Sequence, residues 1–236
     1  MIIGLDRAYK PEWVWKILKL SKPGISNQEM ELQFNSIIEI EGLKSKKNIM
    51  TIIRRYYLRL NKRGGKEYFD NNYLHDLAIK YSFESIKPIL LFVLLCKCDI
   101  ARFLQNKINL KYIHNGFIDR QELLESARKK YGDRRIVQYA VGYYLTILQH
   151  FGIIKFTDNE IMWSKKKLQS ASYLVKDMIL LYAEHLGKKE ISVQELNNEV
   201  AFTYVDLTHL DDVLKEFNSH NWQYQKRLDG NKIIIR

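Results

Sequence analysis

The chain has 236 residues, 46% of them hydrophobic, with 38 lysines and arginines against 27 aspartates and glutamates, a net charge of +11. That apolar content, with only three prolines, excludes a disordered chain and suits one large or two small domains. The cationic excess turns the search away from basic partners and toward nucleic acid or an acidic membrane surface.

The first ten residues, Met1–Lys10, lack the apolar core of a secretory signal, so a cytoplasmic location is expected. Pro11-Glu12-Trp13 then opens a helix, because proline has no N–H to leave unpaired in a first turn. Trp13, Ile17 and Leu20 form its apolar face, and Ser21-Lys22-Pro23-Gly24 ends it. Ser26 with Glu29 is a capping box for a second helix through Met30, Phe34, Ile37 and Ile38, which Gly42 breaks.

From Leu43 the character changes. Ser45 is placed to cap a helix in which Ile49, Ile52, Ile53, Tyr56 and Leu60 recur at three- and four-residue steps. The remainder is basic: Lys44, Lys46, Lys47, Arg54, Arg55, Arg59, Lys62, Arg63 and Lys66, with no acid between Glu41 and Glu67. A cation set on a phosphate releases a condensed counterion, so such a strip suits DNA or RNA. A solvated basic face is the plain alternative. A membrane-surface helix fits less well, because the apolar face holds no tryptophan or phenylalanine.

Asn71–Tyr81 reads as a short helix with Leu74, Leu77, Ala78 and Tyr81 inward. Pro88 is expected to open the most apolar helix, through Leu90, Leu94, Cys98 and Leu104, as the strut of the N-terminal half. Its run Ile89–Cys96, bounded by Lys87 and Lys97, falls far short of the roughly 20 residues of a membrane span. Cys96 and Cys98 with His114 make an incomplete ligand set, so no metal is expected and core packing accounts for both thiols.

The stretch Asp119–Trp163 is the most organised. Asp119 with Glu122 is a capping-box pattern, followed by Leu123, Leu124, Ala127 and Tyr131 at helical spacing. Gly132 ends that helix, and Asp133 is placed to cap the next, Arg134 to about Phe151. On it Ile136, Ala140, Tyr143, Ile147 and Phe151 form one apolar stripe and Val137, Val141, Tyr144 and Leu148 a second. Arg135, Gln138, Gly142, Thr146 and Gln149 are left on a narrow polar face. The runs Ile153–Phe156 and Ile161–Trp163, separated by Thr157-Asp158-Asn159-Glu160, read as a hairpin. Helix, turn, helix, hairpin is the order of a winged helix-turn-helix, whose second helix can enter the major groove. Such modules also serve protein docking.

Lys165-Lys166-Lys167 is expected to start a helix running through Leu168, Ala171, Leu174 and Tyr182 to Gly187. The winged-helix pattern then recurs. Ser192 with Glu195 caps Val193–Val200, Asp206 begins a helix through Leu210, Val213, Leu214 and Phe217, and Trp222–Leu228 and Lys232–Arg236 flank the turn Asp229-Gly230-Asn231. The second helix here carries Asp206, Asp211, Asp212 and Glu216, which repel phosphate, so protein docking or wing contacts through Lys226 and Arg227 fit it better.

No Gly-rich phosphate loop and no H-E-x-x-H pair occurs. The acidic pairs lie among basic neighbours on helices, so no catalytic residue, no cofactor and no enzyme activity are expected.

The order of these features resembles BrxA, the small accessory protein of BREX phage-defence systems. The matching parts span about residues 11–165: the Trp13, Ile17, Leu20 helix; the Asn35, Leu43, Ser45 link into the helix with Arg54, Arg55 and Arg59; the Leu90–Leu95 run followed by Asp99 and Phe103; and the Leu145, Leu148, Phe151-Gly152-Ile153-Ile154 segment. The resemblance implies a helical, non-enzymatic DNA-binding protein of a defence island. Other proteins of that system are its implied partners.

The sequence therefore predicts a mainly α fold, a helical bundle with winged helix-turn-helix modules and short β-hairpin wings. Its parts are a helical N-terminal region (1–118) with the basic helix, a winged-helix candidate (119–164) and a C-terminal winged-helix-like domain (165–236). The expected function is binding of duplex DNA with low sequence specificity, with RNA left open. The expected contacts are Lys46, Lys47, Arg54, Arg55, Arg59, Lys62, Arg63 and Lys66, with Arg134, Arg135 and Gln138 on the central helix. The alternative is a scaffold whose winged helices dock onto proteins of a complex.

Overall fold

The structure is a computed structural model that describes residues 4–70, 72–111, 116–157, 160–164, 167–227 and 230–236. Asn71, His114, Asp158, Asn159, Lys165, Lys166, Leu228 and Asp229, which figure in the expectations above, lie outside these. The described residues are mainly helical, with three small antiparallel sheets.

Helix α1 (Pro11–Leu20) starts on its proline. Helix α2 (Asn27–Ile37) carries the full capping box, the Ser26 amide donating to Glu29 Oε2 at 2.9 Å. Helix α3 (Leu43–Tyr57) departs from expectation at both ends: its N-cap is Gly42 rather than Ser45, and it stops at Tyr57. Leu58 is extended, and β1 (Leu60–Arg63) turns into β2 (Lys66–Phe69) through Gly64-Gly65. Both glycines hold positive φ, 57° and 75°. Two such residues in succession give the tight turn whose twist matches paired strands, and glycine adopts it without a Cβ clash. The expected long basic helix is thus a helix and a hairpin.

Asn72 caps α4 (Tyr73–Lys80). Helix α5 (Phe83–Lys97) is capped by Ser82, so Pro88 lies inside it rather than at its start. Its apolar residues are buried on every side, against α1, α3, α4 and α6, and it is the expected strut. The strut does not continue to Leu104: it ends at Cys98, and α6 (Asp99–Lys111) takes a new direction.

Strand β3 (Phe117–Ile118) leads into α7 (Arg120–Tyr131), α8 (Arg135–His150), β4 (Ile154–Phe156) and β5 (Ile161–Trp163). Asp119 accepts from the amides of Gln121 and Glu122 at 2.8 and 3.1 Å. Gly132 ends α7 at φ 87°. Asp133 does not cap α8: the cap residue is Arg134, and the Asp133 carboxylate lies 2.9 Å from Arg128 Nε instead. The sheet order is β3-β5-β4, so a strand absent from the sequence reading covers one edge of the expected hairpin.

The helix expected through Leu168 does not include it. Leu168 bridges to Val205, and α9 (Ser172–Leu186) begins four residues later. Then come β6 (Glu190–Ser192), α10 (Val193–Asn198), a 3-10 turn (Val200–Phe202), α11 (Leu210–Glu216), β7 (Trp222–Gln225) and β8 (Lys232–Ile235). Asp206 opens no helix, since its carboxylate accepts from the Thr208 amide and α11 starts at Leu210. The sheet order is β6-β8-β7. Residues 117–163 and 190–235 therefore share one plan, in which the first strand pairs with the last, each preceded by a helix, α6 or α9.

One apolar core runs from Leu5 to Ile233. Where the two similar units meet, Gln105 is fully buried on α6. Its Oε1 accepts from Tyr144 (2.6 Å) and Tyr204 (2.7 Å), and its Nε2 donates to Asn109 (2.7 Å), whose amide donates to Thr203 Oγ1 (2.7 Å). Both polar atoms of the Gln105 amide therefore have partners, the condition on which burial of polar groups is tolerated. Among the described residues no helix is long and apolar enough to cross a membrane.

Candidate nucleic-acid interface

The structure divides the basic stretch into two electrostatic classes. On α3 the apolar residues Ile49, Ile52, Ile53 and Tyr56 are buried, which turns the arginines toward neighbouring segments. Arg54 pairs with Glu67 on β2 and with Glu31 on α2 at 3.7 Å. Arg55 lies 3.8 Å from Asp6, and Arg59 is 3.3 Å from Asp70. Lys46 donates to the Asn35 carbonyl at 2.8 Å. The sequence shows no acid within this stretch, yet folding brings four carboxylates to it from outside.

The hairpin holds the second class. Its base is fixed: the Gly24 amide donates to the Phe69 carbonyl at 2.9 Å, the Phe69 amide to Ile25 at 3.0 Å, and Phe69 is buried. Its tip is exposed from Asn61 to Lys66. Lys62, Arg63 and Lys66 have no carboxylate within ion-pair distance among the described residues, and neither does Lys47 on α3. Arg63 and Lys66 stand directly opposite in the strand register, where like charges repel. An anion between them would relieve that repulsion.

The second predicted group lies on α8, which packs against α6, α7 and β4. No acid occurs between Arg134 and His150. Arg134 donates to the Tyr131 carbonyl at 3.1 Å, Arg135 donates to Tyr139 Oη at 2.7 Å and lies over its ring, and Gln138 reaches Asp133 at 3.4 Å. The outer face of α8 is less polar than its sequence suggests. Ile136 and Tyr139 are exposed, and the Tyr139 and Tyr143 rings stack at 6.0 Å. Beyond them stand the exposed Phe156 at the end of β4 and Phe117 on β3, with Arg120 between. The sequence reading missed Arg120, Tyr139, Phe156 and Phe117. The signal for Tyr139 was its place one turn after Arg135 and one turn before Tyr143; for Phe117 nothing local marked a strand.

Cys96 and Cys98 are both free and buried. Burial pushes the Cys96 thiol up to about 12, with Glu199 nearby adding to the shift, and burial likewise raises Cys98. Both thiols are therefore protonated and weakly nucleophilic at neutral pH. Among the described residues no group of three or more His, Cys, Asp or Glu side chains converges on a point where a metal could sit.

Compared with protein families, with curated proteins and with solved structures, the chain matches none.

Proposed function

We propose that this chain is a non-enzymatic duplex-DNA-binding accessory protein of a BREX-type phage-defence system, similar to BrxA, and that residues 117–163 and 190–235 are two winged helix-turn-helix modules. The plan of each unit supports the module assignment: helix, strand, helix, helix, then two strands with the first strand pairing the last. The observation that carries the binding reading is the hairpin tip, where Lys62, Arg63 and Lys66 project around Gly64-Gly65 without a carboxylate partner. Such a tip contacts phosphates regardless of base identity, so specificity is low. Lys47 on α3 and Arg134, Arg135 and Gln138 on the acid-free α8 are further candidate contacts. Arg54, Arg55 and Arg59 hold carboxylates of their own chain and shape the platform below.

Fluorescence anisotropy with a labelled random duplex across a salt titration tests this. Micromolar or tighter binding that weakens steeply with salt is expected. Absence of binding at low salt would overturn the assignment. A second reading, protein docking within a complex, is favoured for the C-terminal unit, because its α11 exposes Asp211, Asp212 and Glu216. There, co-purification with a partner that survives nuclease treatment is the expected result.

A further inference from the structure

A helix that reads base pairs in the major groove presents hydrogen-bonding side chains to base edges. Helix α8 presents something else. Its outer face runs from Arg135 through Ile136 and Tyr139 to Tyr143, and a hollow of about 260 Å³ opens between Tyr139, Tyr143, Thr146 and Phe156. A second hollow of about 470 Å³, bounded by Phe117, Ile118 and Phe156, lies beside it. Arg120 lines both. A methyl group on Gly142 would sit 3.3 Å from Arg120 Nη2, so the guanidinium lies close against α8 at that position.

The charges around these rings are uneven. Arg120 and Lys155 are exposed and meet no carboxylate among the described residues. Arg135 rests on Tyr139. Among the described residues the nearby acids are Asp119, Asp133 and Glu160. Asp119 is occupied by the α7 amides and Asp133 by Arg128, while Glu160 borders only the second hollow. Exposed aromatic rings interleaved with unpaired cations form a stacking platform: every base has a π-face, and the cations follow the backbone.

We propose that the groove between α8 and the end of β4 binds an unpaired nucleobase, stacked on Phe156 and Tyr139 with its phosphate on Arg120. The preferred ligand is then duplex joined to a single-stranded segment rather than continuous duplex. This rests on the nucleic-acid reading above, with the hairpin tip holding the duplex arm.

The test compares three labelled probes by anisotropy: a random duplex, the same duplex with a short single-stranded tail, and the same duplex with 2-aminopurine in that tail to report stacking. The wild-type chain is expected to bind the tailed probe at least about fivefold more tightly than the duplex, the lower end of what one stacked base contributes. It is also expected to change the 2-aminopurine fluorescence. Phe156→Ala and Arg120→Ala should each remove that preference, lowering affinity for the tailed probe more than affinity for the duplex. Circular dichroism would confirm that both variants remain folded, and Phe156→Trp, which keeps a stacking surface, should retain the preference. Equal affinity of the wild type for duplex and tailed probes overturns this proposal and leaves the duplex reading intact. Binding to neither probe overturns both. Capture of a protein through the same groove, lost in Phe156→Ala while probe preference is unchanged, also overturns it.

Discussion

The units at 117–163 and 190–235 follow the same plan and present opposite surfaces. In the first, the helix after the turn is α8, 16 residues long, free of acids and bordered by Arg120 and Lys155. In the second it is α11, seven residues long, with Asp211 and Asp212 in its first turn and Glu216 at its end. The shared plan arises because an element order of strand, helix, helix and hairpin has few ways to bury its apolar faces. What lies outside is under no such constraint. Topology therefore assigns no function to either unit; the side chains on one helix face do.

The largest effect is expected where the two units are joined. Gln105→Leu removes the acceptor shared by Tyr144 and Tyr204 and leaves both hydroxyls buried without a partner. At ~1–3 kcal/mol for each stranded group, the variant should lose several kcal/mol in urea unfolding. The wild type should unfold in a single transition, and two resolved transitions would mean that the units are independent.

Next comes the contrast between paired and unpaired cations. Reversing Lys62, Arg63 and Lys66 to glutamate should lower duplex affinity by roughly tenfold or more. It should also reduce the slope of log affinity against log salt by about 3, near one per lost phosphate contact. Arg54→Ala should instead act mainly on stability, by ~1 kcal/mol as expected of a partly exposed ion-pair cluster, and change the salt slope little. Equal effects of the two changes on the slope would erase the distinction between hairpin tip and helix.

Alkaline titration examines the interior that both units share. Tyr9, Tyr57, Tyr144 and Tyr204 are raised above their ordinary value near 10, in each case chiefly by burial. Cys96 is raised from 9 to about 12. A raised acid releases its proton more readily from the unfolded chain. The stability it contributes is therefore complete below its unfolded value and is lost as pH climbs toward the folded one. Stability should be flat to about pH 9 and fall beyond it, with tyrosinate absorbance appearing together with unfolding. Gradual ionisation of these tyrosines in a folded chain would contradict their burial. By the same reasoning Cys96 and Cys98 should react slowly with a thiol reagent until denaturant is added.

The smallest change addresses the surface difference directly. Neutralising α11 by Asp211→Asn, Asp212→Asn and Glu216→Gln should raise low-salt DNA affinity by only about two- to threefold, through weaker repulsion of phosphate. A much larger gain would show that acids alone keep the C-terminal unit off DNA.

Much of the fold was legible locally. The caps at Ser26, Asp119 and Ser192 and the proline start at Pro11 operate within a few residues of chain, as do the stripe Leu74, Leu77, Ala78 and the apolar run Ile89–Cys96. The hairpin at 60–69 was locally marked too: Gly64-Gly65 is a turn dipeptide, but the helical recurrence of Tyr56 and Leu60 and the run of basic residues suggested one continuous helix. Strands β3 and β6 left almost no trace, because two- and three-residue strands exist only through the partners β5 and β8 that pair with them.

By itself the sequence determined the helical class, the absence of a long apolar span, the cationic excess and the repeated order of elements toward the C-terminus. All of these follow from composition and from periodicities shorter than one helix. The tertiary structure decided which charges face solvent alone. Glu31, Glu67, Asp6 and Asp70 are brought to Arg54, Arg55 and Arg59 by packing of α2, the hairpin and the N-terminal segment, while Lys62, Arg63 and Lys66 form no ion pair among the described residues, Glu67 opposite Lys62 being turned to Arg54. Charge pairing is set by distance in space, and along the chain those partners are up to 49 residues apart.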